Sequence, residues 1–223
     1  FDASGADVDE DTDVTVRLTV TDGDGASDSD TVTVTVRDTD TGGTLAPDEV
    51  AYADANGDGR YQDSETAYTR DQLVSFDRGV NLVVAKDVNR PSLSIKADRI
   101  TTDPGAELSS HDGETKLTAT SGPVDIGPAD SGSPSINAPK VTIKGESVSL
   151  RDGASLTAYN SEAKLTATSG AVDIGSGGSR DSINAPKVTI SGDSVSLRDG
   201  ANVVASNSEA KLTATNGAID IGA

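Results

Sequence analysis

A mainly β chain organised around a β-solenoid is what this sequence predicts, and three observations carry the prediction. Ser92–Gly127, Lys140–Gly175 and Lys187–Gly222 align over 36 positions without a gap, with starts 48 and 47 residues apart, and a fixed period of that size marks a repeat architecture. Each copy holds five short apolar pairs separated by turn residues; in the second copy these are Val141/Ile143, Val148/Leu150, Leu156/Ala158, Leu165/Ala167 and Val172/Ile174. The chain has no Cys, Met or Trp and only 3% aromatic residues, so any core is thin and aliphatic.

Residues 1–38 come first. VTVRLTV, TDGDGASDSD and TVTVTV run in succession from Val14 to Val36, two alternating β runs around a Gly/Asp turn, which is a hairpin pattern. The stretch FDASGADVDEDTDVTVRLTVTDGDGASDSDTVTVTV resembles the C-terminal half of a PKD-like or REJ-like β-sandwich module. The resemblance implies that the remaining sandwich strands come from upstream or from another chain, because two strands bury too little to stand alone. Phe1 opens inside a strand-like pattern, which suggests an excised or processed piece. Asp22, Asp24, Asp28 and Asp30 crowd the turn; a solvated turn is the plainer reading and a second ion the sharper one.

Residues 39–47 form a Gly/Thr/Pro linker, and residues 48–78 hold the sharpest motif in the chain. Asp54, Asn56 and Asp58 fall at positions 1, 3 and 5 of a twelve-residue loop, Arg60 at 7, Gln62 at 9 and Glu65 at 12, with Gly59 at 6. Calcium takes oxygen ligands at this spacing: side chains at 1, 3 and 5, the backbone carbonyl at 7, a water-mediated ligand at 9 and a bidentate Glu at 12, the Gly permitting the turn. The loop resembles an EF-hand, and DANGDG is similar to dockerin loops, which implies a bound Ca2+ as cofactor. A dockerin carries two such loops and this chain has one. In SETAYTRDQLVSF, Tyr68 and Leu73 could form the apolar stripe of one short helix, and Tyr52, Tyr61, Tyr68 and Phe76 would make the small core of this calcium module.

Residues 79–223 are the repeats. Side chains alternate across a strand, so each apolar pair faces inward while the residue between faces out. With Ile183 of the joining segment, six strands in one period make two coils of a three-sided solenoid, each about 24 residues. Val141 is then expected over Leu165 and Val148 over Val172. A propeller needs more blades than three to close, and an immunoglobulin-type sandwich needs about 100 residues per unit. Gly105, Gly153 and Gly200 share one repeat position as corners. The segment resembles the repeat regions of β-helical surface adhesins and filamentous haemagglutinins, an architectural likeness.

Net charge is −19, concentrated before Ser75, where 19 acidic residues face 4 basic ones. That balance speaks against nucleic acid and anionic membrane, which need Lys and Arg, and for cations; an acidic surface also suits work in high salt. No apolar run is long enough for a membrane span. Asp125, Asp173 and Asp220 occupy one repeat position and form a ladder beside Lys116, Lys164 and Lys211, in like environments that give no acid/base pair. His111 stands without a nucleophile motif. The expectation is a non-enzymatic, extracellular or cell-surface structural protein that self-associates through strand exchange or end-to-end stacking into a calcium-stabilised fibre, with a cell-surface glycan as a further partner. Two alternatives from other classes are an ancillary, carbohydrate-binding region of a secreted polysaccharide-degrading protein and a viral spike segment.

Overall fold

The computed structural model describes residues 12–36, 42–127, 133–151, 153–175, 181–198 and 200–222. Residues 1–11 of the PKD-like stretch, 37–41 at the linker and 128–132 and 176–180 of the joining segments lie outside the described residues. Two compact units are present, Phe1–Gly43 and Thr44–Ala223.

In the first unit, β1 (Thr12–Thr21) and β2 (Ser27–Val36) form an antiparallel hairpin in which Val16 pairs with Val32 and Val20 with Asp28. Asp22 builds the turn: its Oδ1 accepts the N–H groups of Asp24 and Ala26 at 3.0 and 2.9 Å. Asp28 and Asp30 each accept the next residue's N–H. Val16, Leu18, Val20, Val32 and Val34 share one face of the ribbon and are exposed.

The second unit is the solenoid. It opens with β3 (Glu49–Ala53), β4 (Ala67–Thr69), β5 (Ser75–Asp77) and β6 (Asn81–Val84). Six three-strand coils follow: β7 (Val88–Arg90), β8 (Leu93–Ala97) and β9 (Arg99–Thr102); β10 (Glu107–Ser110), β11 (Glu114–Ala119) and β12 (Val124–Ile126); β13 (Ser135–Ala138), β14 (Lys140–Gly145) and β15 (Val148–Leu150). The last three are β16 (Ser155–Ala158), β17 (Glu162–Ala167) and β18 (Ala171–Ile174); β19 (Ser182–Ala185), β20 (Lys187–Gly192) and β21 (Ser194–Leu197); β22 (Asn202–Ala205), β23 (Ala210–Ala214) and β24 (Ile219–Ile221). Strands of successive coils pair in parallel, giving side one (β7 to β22), side two (β5 to β23) and side three (β6 to β24). β3 and β4 extend side three antiparallel at the start of the stack.

The interior is the aliphatic one expected. On side three Ile100, Val124, Val148, Val172 and Val195 stack in register, all nearly inaccessible to solvent. Several polar groups that reach the interior are paired: Ser110 and Thr115 bond each other, and Thr102 accepts the N–H of Gly127. Asp181 is wholly buried and secures a corner, its Oδ1 accepting the N–H of Gly153 at 3.0 Å and of Ala154 at 2.8 Å. Gly105, Gly153 and Gly200 turn at φ near +81°, +85° and +86°, a left-handed conformation in which a Cβ is strained.

Three expectations are corrected. Val148 does stack on Val172, but Val141 stacks on Ala163 and Leu165 on Ile143. The side-two strands carry three inward positions each, and the third is filled by Gly145 or Ala167, too small to mark a core row. The short helix is reduced to one 3-10 turn, Gln72–Val74, because two sheets claim the flanking backbone: β4 pairs with β3 and β5 with β8, and Gln72 Oε1 accepts the Thr69 N–H at 2.7 Å. The aromatic residues form two clusters. Tyr68 and Phe76 meet edge-on at 4.9 Å between ring centroids and join the solenoid core, whereas Tyr52 packs with Leu45, Val83 and Tyr61.

Candidate metal site

The twelve-residue loop Asp54–Glu65 joins β3 to β4 and therefore closes a β-hairpin instead of linking two helices. Alternation along β3 sets its place: Ala51 points into the solenoid, while Tyr52 turns to the opposite face and packs on Val83. Tyr52 and Tyr61 lie with ring centroids 5.5 Å apart.

Hydrogen bonds wind the loop around its own oxygens. Asp54, mostly buried, accepts the N–H of Gly57 at 2.7 Å and of Gly59 at 3.2 Å. Asn56 Oδ1 accepts the Asp58 N–H at 3.3 Å. Asp58 accepts the Arg60 N–H at 2.7 Å, the Asn56 amide at 3.0 Å and the Gln62 amide at 2.6 Å. Glu65 reaches back across the loop to the N–H groups of Ala55 at 2.8 Å and Gln62 at 3.2 Å. Gly57 and Gly59 turn at φ of +83° and +74°. Of the predicted ligands, Asp54, Asn56, Asp58, Gln62 and Glu65 are thus tied by side-chain bonds, while Arg60 enters through its main chain.

The loop's charge is crowded. Burial first, then the Asp54 and Asp58 carboxylates, raises the pKa of Glu65 against the lowering effect of its two N–H donors. Burial and the carboxylates of Asp103, Asp54, Glu65 and Asp58 push the Tyr52 hydroxyl far up. Among the described residues no three Asp, Glu, His or Cys side chains stand close enough together to hold an ion. The donor set is nonetheless one a hard divalent cation takes, oxygens only and in the order of a calcium loop. Bound there, a cation would offset the burial, and the smaller carboxylate repulsion, that lift Glu65.

Beside the loop lies a cleft of about 430 Å³. Asp54, Asp58 and Arg60 form one wall, and Asn81, Arg99, Thr101 and Asp103 from side three form the other. Burial raises the pKa of Asp103 from 3.8 to about 6. Sequence reasoning missed this second wall, since its residues belong to no motif; the only signal was that Asn81 interrupts an apolar run and that Arg99 and Asp103 flank Ile100-Thr101-Thr102.

The other sequence candidates resolve into surface chemistry. Asp125, Asp173 and Asp220 stack on side three with Ser149 and Ser196 between them. Their cations are not the lysines: Arg99 reaches Asp125 at 2.9 Å and Arg198 reaches Asp173 at 3.7 Å. Lys116, Lys164 and Lys211 form a separate column on side two, alternating with Thr142 and Thr189. His111 lies on the surface, 3.6 Å from Asp112.

No family model matches this chain, and comparison with curated proteins and with solved structures returns no similar chain.

Proposed function

We propose that this chain is an extracellular, non-enzymatic structural and adhesive surface protein that self-associates into a calcium-stabilised fibre or matrix. The observation that carries the reading is the β1–β2 ribbon, whose apolar face of Val16, Leu18, Val20, Val32 and Val34 is exposed. An alternating strand pair of this kind is suited to strand exchange with another chain.

Calcium's part follows from the position of its loop. A cation held by Asp54, Asn56, Asp58, the Arg60 carbonyl, Gln62 and Glu65 would clamp β3 to β4 at the start of side three. A ligand that binds only the folded loop stabilises by about 2.7 kcal/mol at a hundredfold excess over its Kd.

Sedimentation velocity and electron microscopy with calcium and with chelator test the assembly: larger species with calcium are expected, and a chain that stays monomeric in both conditions sinks it. Calorimetric titration tests the loop separately. Glu65→Gln is expected to weaken calcium at least tenfold, and a wild-type chain that takes up no calcium removes the metal from the reading.

A further inference from the structure

The outer surfaces of the three sides differ in charge. Side two carries the lysine column and the Glu114–Lys140 and Glu162–Lys187 ion pairs at 3.2 and 3.1 Å; side three carries the aspartate ladder. Side one is unlike both. Across the neighbouring strands β13, β16 and β19 its outward residues are Ser135 and Asn137, Ser155 and Thr157, Ser182 and Asn184. They stand in two columns, Ser135–Ser155–Ser182 and Asn137–Thr157–Asn184. None of these six is ionisable, in a chain of net charge −19; one coil earlier, Glu107 of β10 heads the serine column.

An exposed aromatic residue borders this face. Tyr159 follows β16 and is 44% exposed. Its N–H donates to Ala138 O at 3.0 Å in the coil before, while its hydroxyl reaches Ser110 O and His111 O at 3.2 and 3.0 Å, one coil further back. The side chain therefore runs along the stack across a whole intervening coil, held at both ends.

We propose that side one binds an uncharged, extended polysaccharide laid along the stack, with Tyr159 as its stacking platform. Hydroxyl and amide side chains both donate and accept, as sugar hydroxyls do. The columns repeat at the inter-strand spacing of about 4.8 Å, close to the length of one pyranose in an extended chain, so successive sugars meet successive coils. A tyrosine ring offers an apolar face to sugar C–H groups and loses little conformational freedom on binding. The uncharged outer face of these three coils complements a neutral chain, and with Glu107 as the nearest charge in the column it gives an anionic one nothing to pair with. The proposal supplies a partner class for the adhesive role above and rests on that role for its setting. Its test uses neither calcium nor assembly, so either reading can fail alone.

The experiment is retention of the full chain on insoluble cellulose and on chitin, in chelator and at high salt, with soluble alginate as the anionic comparison. Retention on at least one neutral polysaccharide is expected, unchanged by salt because no ion pair is involved. Asn137→Asp/Asn184→Asp should weaken it about tenfold, the worth of about one strong hydrogen bond, and Tyr159→Ser should weaken it comparably. Ser206 occupies the equivalent position in the third copy, so the fold accommodates that residue; circular dichroism checks both variants. Lys116→Glu/Lys164→Glu on side two should bind as wild type. Failure to bind either neutral polymer, binding to alginate alone, or binding indifferent to the side-one substitutions overturns the proposal.

Discussion

Asp103 follows β9, with its N–H donating to Val84 O at 2.9 Å and its side chain lining the cleft beside the loop. Burial raises its pKa from 3.8 to about 6, so the folded chain holds this proton more tightly than the unfolded one. The stability it contributes is complete below about pH 4 and is lost as pH rises through about 6. At neutral pH the ionised group then costs about 1–2 kcal/mol after discounting for solvent screening. Asp103→Asn should raise stability at pH 7 and make the fall between pH 4 and 6 shallower. It should not flatten it, because Glu65 shifts in the same direction. Urea unfolding across that range checks this, and identical pH profiles for the two proteins refute it. Nothing in the sequence marks Asp103, whose environment is made by a loop some forty residues earlier. Asp54 to Glu65, by contrast, stand out in the sequence because their spacing is local.

Single elements show where legibility stops. The rows Val124–Val148–Val172 and Ile136–Leu156–Ile183 could be read from their side chains. The third inward row of side two could not, since it is Gly145, Ala167 and Gly192, where tight packing leaves room for little. A Cβ at Gly145 would lie 2.8 Å from Ser147 O and 3.1 Å from a Val124 methyl. Gly145→Ala should therefore destabilise by about 1–3 kcal/mol, as overpacked cores do; a urea midpoint equal to or above wild type would contradict that. The 3-10 turn Gln72–Val74 was misread as a helix for a related reason. Tyr68 and Leu73 are both buried, but their burial is set by β3 and β8, elements no local window contains.

At the scale of the whole molecule, stability is expected to be a sum of coils and their contacts. Deleting residues 140–186 removes two coils, 47 residues, and joins Pro139 to Lys187 as it was joined to Lys140. That protein should fold with unchanged β content and a smaller denaturant dependence. Deleting residues 140–161 removes one coil, 22 residues, and should cost about 1–2 kcal/mol more, because like charges directly opposite on neighbouring strands repel. High salt should recover part of the loss. Equal stability of the two deletions, per coil removed, would count against this account.

The difference between those deletions lies in the outward columns. Glu114 faces Lys140 and Glu162 faces Lys187; Lys alternates with Thr on side two and Asp with Ser on side three. Each alternation has a period of two coils, so the stack carries a parity. Removing one coil sets Glu114 against Glu162, Lys116 against Lys164 and Asp125 against Asp173, whereas removing two sets Glu114 against Lys187, Lys116 against Thr189 and Asp125 against Ser196, the same kinds of pair as in the intact stack. A molecule with this surface lengthens or shortens by even steps, and the doubled period near 48 residues records that selection rule where a single coil would have sufficed for the core.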